Sequence, residues 1–426
     1  MIKDNKVLNT EFILSNVDAY VNGSLLKSCY IYIKNGWIEN IFDVDPNLDV
    51  QVIDVSDYIV FPGLSNNHTH CAMNFLRGYT HGSATMIGDI FFKTEKQLDE
   101  QLVESLSFPY LISGLRSGVT HFSDHYYFHH GTAKAMEKLG VRGHLGQWVG
   151  DLGGAFPASV DWNSLKKEIE SWNYSSRVRP ILCPHASDTV SKKLGKELSD
   201  FAKVNDLNLH FHLSQRKEEV EFAKQQYDQT PVEVAKEMGW LTPKSLAVHL
   251  LYSNFEDQKI LFDSGVFIGS CPNSQIIYDS IAPIEKYWGK NKFLLGTDCA
   301  ASNDQGDMLN ELSTLAKFLL DRKVKSPSLY KDIIATASSN ASDFYGTPMG
   351  ELKPGMYADL VLVKKSIELL PIIDISASLL FAMGSQFVEH VMVDGKWVLL
   401  DREPVNIEML DIKNSYLDSV SKITID

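Results

Sequence analysis

Between residues 58 and 320 the chain alternates two kinds of apolar pattern, and that alternation restricts the fold more than any other feature. Short, nearly continuous apolar runs occur at 58–61, 119–123, 141–147, 178–184, 207–213, 245–251, 265–271 and 292–296. Between most of them lie amphipathic stretches with helical spacing, at 99–116, 132–139, 191–204, 218–227, 256–262 and 308–320. A strand buried on both faces has no polar side to alternate with, and it reaches a parallel neighbour only through a crossover, usually a helix. Eight runs in this rhythm predict an α/β fold of the (β/α)8 TIM type. The flanks read differently. Residues 7–57 and 352–402 alternate short β-prone pieces with turns such as Asn35-Gly36 and Asp394-Gly395, pairs that accept the positive φ of tight hairpins. We therefore expect a small β-sandwich domain built from both chain termini. Residues 1–62 form its N-terminal part, 63–345 the barrel, and 346–426 its C-terminal part.

Composition narrows the partners. With 426 residues, 44% of them hydrophobic, the chain can bury a large core. Its net charge of −14 repels nucleic acid and anionic membrane surfaces, and leaves a small-molecule substrate. The five cysteines (Cys29, Cys71, Cys183, Cys271, Cys299) have no paired spacing and read as reduced core thiols. The start lacks an apolar signal region, and the apolar stretch 367–383 is interrupted by Glu368, Pro371 and Asp374, too often to span a bilayer. The expected setting is the cytoplasm, as a homo-oligomer (dimer or tetramer).

The chemistry gathers where these runs end. His68-Thr69-His70 closes the first, and residues i and i+2 of an extended chain lie on one side, so both imidazoles can reach one cation. Further along, His185, His212, His249 and Asp298 each end a later run. Barrels of this type carry their chemistry at the C-terminal ends of the strands. Any one buried histidine is more simply a hydrogen-bonded core residue. The arrival of all of them at the same end is hard to explain by packing. Three imidazoles and a carboxylate with one open position make a catalytic rather than a structural zinc-type site. His125, just past the second run, is a candidate for the pocket wall, whereas His81, His121, His129, His130, His144 and His390 read as loop, surface or satisfied core residues.

These motifs carry a resemblance. Pro62-Gly63 with His68-x-His70, then Arg77-Gly78, Pro184-His185-Ala186, His210-x-His212 and His249, extend to Cys271-Pro272-x-Ser274 and Gly296-Thr297-Asp298. With Gly350 and Lys353-Pro354-Gly355-x-x-Ala358-Asp359-Leu360, the set covers nearly the whole chain. The chain resembles the amidohydrolase superfamily, in the branch of heterocyclic amine deaminases and triazine chlorohydrolases that includes cytosine, guanine and S-adenosylhomocysteine deaminases. The resemblance implies metal ligands His68, His70, His212 and Asp298, and places His249 beside the reacting water and substrate. It puts His185 where two-metal relatives have a bridging lysine. A histidine cannot be carboxylated to bridge, so one divalent ion is implied, zinc or alternatively iron. Arg77, His125, His185, Ser274 and Gln275 become the expected substrate contacts.

A divalent cation brings the pKa of water toward neutrality, Asp298 can take the released proton, and His249 can polarise the atom attacked. The expected reaction is hydrolytic deamination of an amino-substituted N-heterocycle of purine, pterin, pyrimidine or triazine type. Ammonia leaves readily only when protonated, so a proton must be shuttled. Relatives carry a glutamate for this three residues after the fifth-strand histidine; here the residue is Gln215, which cannot exchange a proton. Either the leaving group differs (a halide, an alkylamine, a cyclic amide or imine), or Asp298 or His249 moves the proton, or the protein binds without turnover as a scaffold. Gln275 likewise replaces a customary asparagine, and the usual tryptophan–leucine pair is missing from 82–95, so the pocket roof is expected to differ.

Overall fold

The computed structural model describes residues 8–79, 87–156, 161–290 and 292–425. Two parallel sheets form its centre. In one, Leu64–Thr69, Val119–Tyr126 and Arg142–Val149 run side by side, with Val178–Pro180 and Cys183–Pro184 both pairing to the last of these. In the other the order is Leu209–Leu213, Ser245–His249, Phe267–Ser270, Phe293–Leu295. Nearly every residue of these strands is buried, as continuous apolar runs require. Single parallel bridges link the two sheets at both margins, Thr69 to Asp298 and Leu182 to Leu209. Main-chain bonds from Asp298 N to His68 O (3.0 Å) and from His212 N to His185 O (2.9 Å) accompany them.

Helices follow most strands, and their ends are written locally in the sequence. Asp99 caps Glu100–Leu115 by accepting from Leu102 N, Ser191 caps Lys192–Val204 through Leu194 N, and Asn254 with Asp257 forms a capping box on Phe255–Ser264. Among the described residues no helix is long and apolar enough to cross a membrane. All five cysteines are buried and unpaired.

Strands from both chain ends share one nine-stranded mixed sheet, in which Glu11–Val21, Tyr58–Pro62 and Leu360–Lys364 are neighbours. This corrects the reading of 58–61 as the first of the parallel strands. Tyr58–Pro62 runs antiparallel to Leu360–Lys364, and the parallel strand begins at Leu64. The chain changes partners at Gly63, whose N–H goes to Asp359 O while Leu64 N goes to Gly118 O. A Cβ at Gly63 would lie 2.1 Å from Thr120 Oγ1, so only glycine passes here.

Alternation along Leu360–Lys364 joins two cores. Leu360 and Leu362 pack with Phe12, Ile31 and Ile53, while Val361 and Val363 pack with the parallel sheets and their helices. A buried bidentate pair, Arg142 Nε and Nη2 to Asp359 (2.5 and 3.1 Å), fastens the same junction. The last helix, Met409–Ser421, leaves the mixed sheet and packs on Glu100–Leu115, with Ser415 Oγ 2.9 Å from Ser105 Oγ.

Candidate metal centre and active site

His68 is the penultimate residue of its strand and His70 lies just past it, His212 and His249 lie at the ends of theirs, and Asp298 follows Phe293–Leu295 by three residues, bridged to Thr69. Two of these positions are strained. His249 has φ +86° and Asp298 φ +61°, a region that residues with a Cβ seldom occupy, and such strain concentrates where function holds a side chain in place.

The side chains converge. Asp298 Oδ1 stands 3.3 Å from His70 Nε2 and 3.7 Å from His68 Nε2, and His70 Nε2 is 3.3 Å from His212 Nε2. The other nitrogens are already committed: His70 Nδ1 to His125 O (2.5 Å), His212 Nδ1 to His185 O (3.0 Å), and His68 Nδ1 to His210 Nε2 (2.7 Å). Anchoring each Nδ1 turns the Nε2 lone pairs inward, the usual way outer partners orient metal-binding imidazoles. Ser274 Oγ donates to Asp298 Oδ2 at 2.6 Å and leaves Oδ1 facing the histidines.

Two of the ligand triples that fall within 4.8 Å share His68: His68, His70 and Asp298, and His68, His212 and His249. His68 Nε2 is buried without a hydrogen-bond partner among the described residues, an expense that a cation relieves. Burial keeps His68 and His212 far below the usual imidazole range, and brings His249 down to about 4 against the pull of Asp298. For Asp298 burial acts upward, but the His70 hydrogen bond, the charges on His249 and His70, and Ser274 outweigh it and hold the carboxyl at about 2. Burial thus favours neutral imidazole at His68, His212 and His249, the form in which histidine binds a metal, whereas at His70 burial is outweighed by the Asp298 hydrogen bond and charge, which push the ring up.

Over this cluster opens a cavity of about 60 Å³. Its walls are largely aromatic, including Phe91, Phe92, Tyr126, Tyr127, Trp148 and Tyr278. Of the expected substrate contacts, His125, His185, Ser274 and Gln275 line it, as does Gln215. Both ring nitrogens of His125 and of His249 lack partners among the described residues. His185 Nδ1 meets Thr189 Oγ1 at 2.7 Å, and Gln275 Nε2 donates to His249 O at 3.1 Å. Gln215 lies on the cavity lining, and its N–H donates to Glu219 Oε2 (2.9 Å).

Arg77 is not brought to this site. After His70 the chain enters the turn Cys71–Leu76, which carries Arg77 out to solvent, where it donates to Asn74 Oδ1 (2.9 Å) and borders a separate groove with Tyr416. His81 and residues 82–86 of the expected roof lie outside the described residues; Ile87, Phe91 and Phe92 supply roof contacts. The remaining histidines are hydrogen-bonded as expected: His121 to Ser65 and His144, His129 to Gln147, His130 to Tyr174, His390 to Tyr58.

Sequence reasoning missed two residues. His210 orients His68, and the signal was its place two residues before His212, on the same strand face. Glu95 lines the cavity, is buried, and accepts from Tyr126 OH (2.8 Å); burial pushes its carboxyl up to about 7. Its signal was a lone acid one helical turn after Phe91-Phe92.

With this geometry in view, comparison with known proteins is decisive, because residues 59–398 match the amidohydrolase family from end to end of both parallel sheets. The chain belongs to the amidohydrolase family. Among curated members, a 5-methylthioadenosine/S-adenosylhomocysteine deaminase of Aquifex aeolicus (strain VF5) is 30% identical over 397 residues, 90% of this chain and 91% of that one. A 5'-deoxyadenosine deaminase of Methanosphaera stadtmanae is 29% identical over 403 residues, 92% of this chain and 95% of that one. An adenosine deaminase from Xanthomonas campestris, solved with bound zinc, superposes with a TM-score of 0.89 at 22% identity, covering 96% of this chain and 98% of that one. The chain is thus an amidohydrolase-family enzyme, and its histidine–aspartate cluster suits a divalent metal ion.

Proposed function

We propose that this amidohydrolase hydrolytically deaminates an adenine nucleoside or a related amino-substituted N-heterocycle, with one divalent ion, zinc rather than iron, held by His68, His70, His212 and Asp298. The observation that carries the reading is the orphaned, buried His68 Nε2 facing a carboxylate held at about 2, at the base of a cavity that aromatic side chains and several polar groups line together. The relatives named as deaminases of adenine nucleosides support it over nearly the full chain.

A divalent ion bound there supplies water whose pKa is lowered toward neutrality. Asp298, steadied by Ser274 and Ser302, accepts the proton of the attacking water. His249 stays neutral at pH 7 and polarises the ring position under attack, stabilising charge as it develops. His125, His185 and Gln275 hold the heterocycle against the aromatic wall. Gln215 orients substrate through its amide, and the proton that ammonia needs on leaving passes through Asp298 or His249.

The test is ammonia release from a panel of amino-purines, adenine nucleosides, pterins, pyrimidines and triazines; silence across the panel would sink the reading. Gln215 in the cavity favours one alternative, displacement of a halide or alkylamine, which halide-ion and amine assays on substituted triazines would reveal.

We also propose that the two bridged parallel sheets close into a (β/α)8 barrel over 63–345, with residues 1–62 and 346–426 supplying a sandwich-like module around the mixed sheet. The unpaired cysteines suit a reducing cytoplasm, and light scattering would count the subunits of the expected homo-oligomer.

A further inference from the structure

Outside the cavity, two histidines that the proposed mechanism does not use stand side by side at the start of the helix His129–Leu139. Facing them is Glu168, near the end of the helix Trp162–Glu170. One ring nitrogen of His129, one of His130 and a carboxylate oxygen of Glu168 all lie within 4.8 Å of one another. Trp172 stacks on both rings, at 5.5 Å and 9° on His129 and at 5.6 Å and 26° on His130. Its own Nε1 donates to Val178 O at 2.8 Å, so the two imidazoles rest on a fixed wall.

The hydrogen bonds decide which nitrogens can ligate. Gln147 Oε1 lies 2.9 Å from His129 Nδ1 and 3.4 Å from His129 N. An amide oxygen only accepts, so Nδ1 carries the hydrogen and Nε2 keeps its lone pair. Burial, with the charge on His130, brings His129 down to about 4, so this ring is neutral near pH 7. His130 Nδ1 meets Tyr174 OH at 2.9 Å, and its Nε2 is turned to Glu168, 3.6 Å from Oε2. Imidazoles anchored through Nδ1 with Nε2 left to ligate are the arrangement that outer partners give metal-binding histidines. Zinc at roughly 2.0–2.1 Å from each ligand sets tetrahedral neighbours about 3.3 Å apart. The set closes to that spacing by a change of rotamer at Glu168, whose side chain is half-exposed.

We propose that His129, His130 and Glu168 form a second, exchangeable site for a divalent transition ion, which staples the helices His129–Leu139 and Trp162–Glu170 together. Two imidazoles and one carboxylate select zinc, nickel or copper over magnesium and calcium, which take oxygen ligands. With three ligands, two of them partly exposed, the site gives up its ion on dialysis, while the buried centre keeps its own.

The test starts from the parent protein dialysed against metal-free buffer until its ion content is constant. Calorimetric titration with zinc chloride should then show one further equivalent, with Kd on the order of 10⁻⁶–10⁻⁵ M, weaker than a four-ligand structural site. Magnesium chloride over the same range should give no binding heat. Zinc at about a hundredfold excess over Kd should raise Tm by about 3 °C, the shift that linkage gives for a chain of this size. His130→Ala should weaken the added zinc by roughly 10–100-fold and abolish the rise in Tm, while the ions retained after dialysis stay at the parental number. Glu168→Gln, at an exposed helix position, should do the same to a lesser degree; if His130→Ala melts below the parent, this second variant decides. Zinc bound alike by the parent and both variants sits elsewhere on the surface and overturns the proposal. So does the absence of a further equivalent, or magnesium bound as tightly as zinc.

Discussion

Replacing His249 with alanine separates the two ways of reading the cluster. His68 is shared by two triples, one completed by His70 and Asp298, the other by His212 and His249. If the first reading holds, with His212 as fourth ligand, His249 touches the reacting centre and no metal depends on it. The structure sets what the substitution should do to the fold. His249 is 2% exposed, its ring stacks on His212 at 5.4 Å and 8°, and neither ring nitrogen has a partner among the described residues. No hydrogen bond is lost and no donor orphaned. The cost is ring packing alone, about 3–5 kcal/mol for an aromatic ring in a closed core and less here, where water from the cavity fills the space. The backbone at φ +86° is no worse for alanine than for histidine.

The catalytic effect should be far larger than the structural one. A placed acid–base or electrostatic group is worth roughly 10²–10⁴ in rate, or about 2.7–5.4 kcal/mol of transition-state stabilisation. His249→Ala should therefore retain one metal ion per chain by elemental analysis, keep a cooperative melt, and lose 10²–10⁴ in kcat/KM for ammonia release. Metal lost in step with activity would refute the assignment and make His249 a ligand.

His212→Ala and Asp298→Ala should each lose both metal and turnover; two ions per chain, or an active preparation with none, would contradict the single-ion site. His185→Ala should cost less rate than His249→Ala, because Thr189 already engages its ring and its role is to line the cavity, which parallel kinetics would show. Gln215→Glu should leave the native reaction intact or modestly impaired if Asp298 moves the proton, and should add ammonia release from ordinary amino-heterocycles if the native substrate needs no shuttle. A parent already fast on those compounds, with a variant no better, would remove any significance from Gln215. Burial raises Glu311 from the usual carboxylate value to about 8, so the native state holds a proton that the unfolded chain has released. That stability, at most about 5 kcal/mol, is complete below pH ~4.5 and fades as pH rises through 8. Urea unfolding should weaken from pH 6 to 9 in the parent and less so in Glu311→Gln, and equal slopes would refute it.

The parallel strands were legible because a strand covered on both faces must be apolar throughout, and each run from 119 onward has its strand. The run at 58–61 misled because an apolar run looks the same in a parallel and an antiparallel sheet. What separates Tyr58–Pro62 from Leu64–Thr69 is the change of partners at Gly63, forced by Thr120 pressing on it from another strand. The Arg142–Asp359 pair was invisible for the same reason, since it joins residues 217 apart whose burial only the assembled junction creates.

At the site, the histidines and Asp298 were readable because each lies at or shortly past the end of a parallel strand, and strand ends in this architecture point one way. Arg77 shows the limit of that logic: it follows the His68–His70 motif closely, yet one 3-10 turn reverses its direction. Glu95 and His210 act through partners 31 and 142 residues away. Their roles follow from burial beside those partners, a property of the fold rather than of any local pattern. The acids around Gln215 follow the same logic. Glu219, buried and raised to about 7, accepts from Gln215 N and Ser187 Oγ but does not line the cavity; Glu95 lines it from the Tyr126 side. The cavity thus keeps a carboxyl while position 215, where the resemblance expects a glutamate, holds an amide. On the proposed mechanism proton transfer then falls to Asp298 and His249, both held at positive φ where their parallel strands give out.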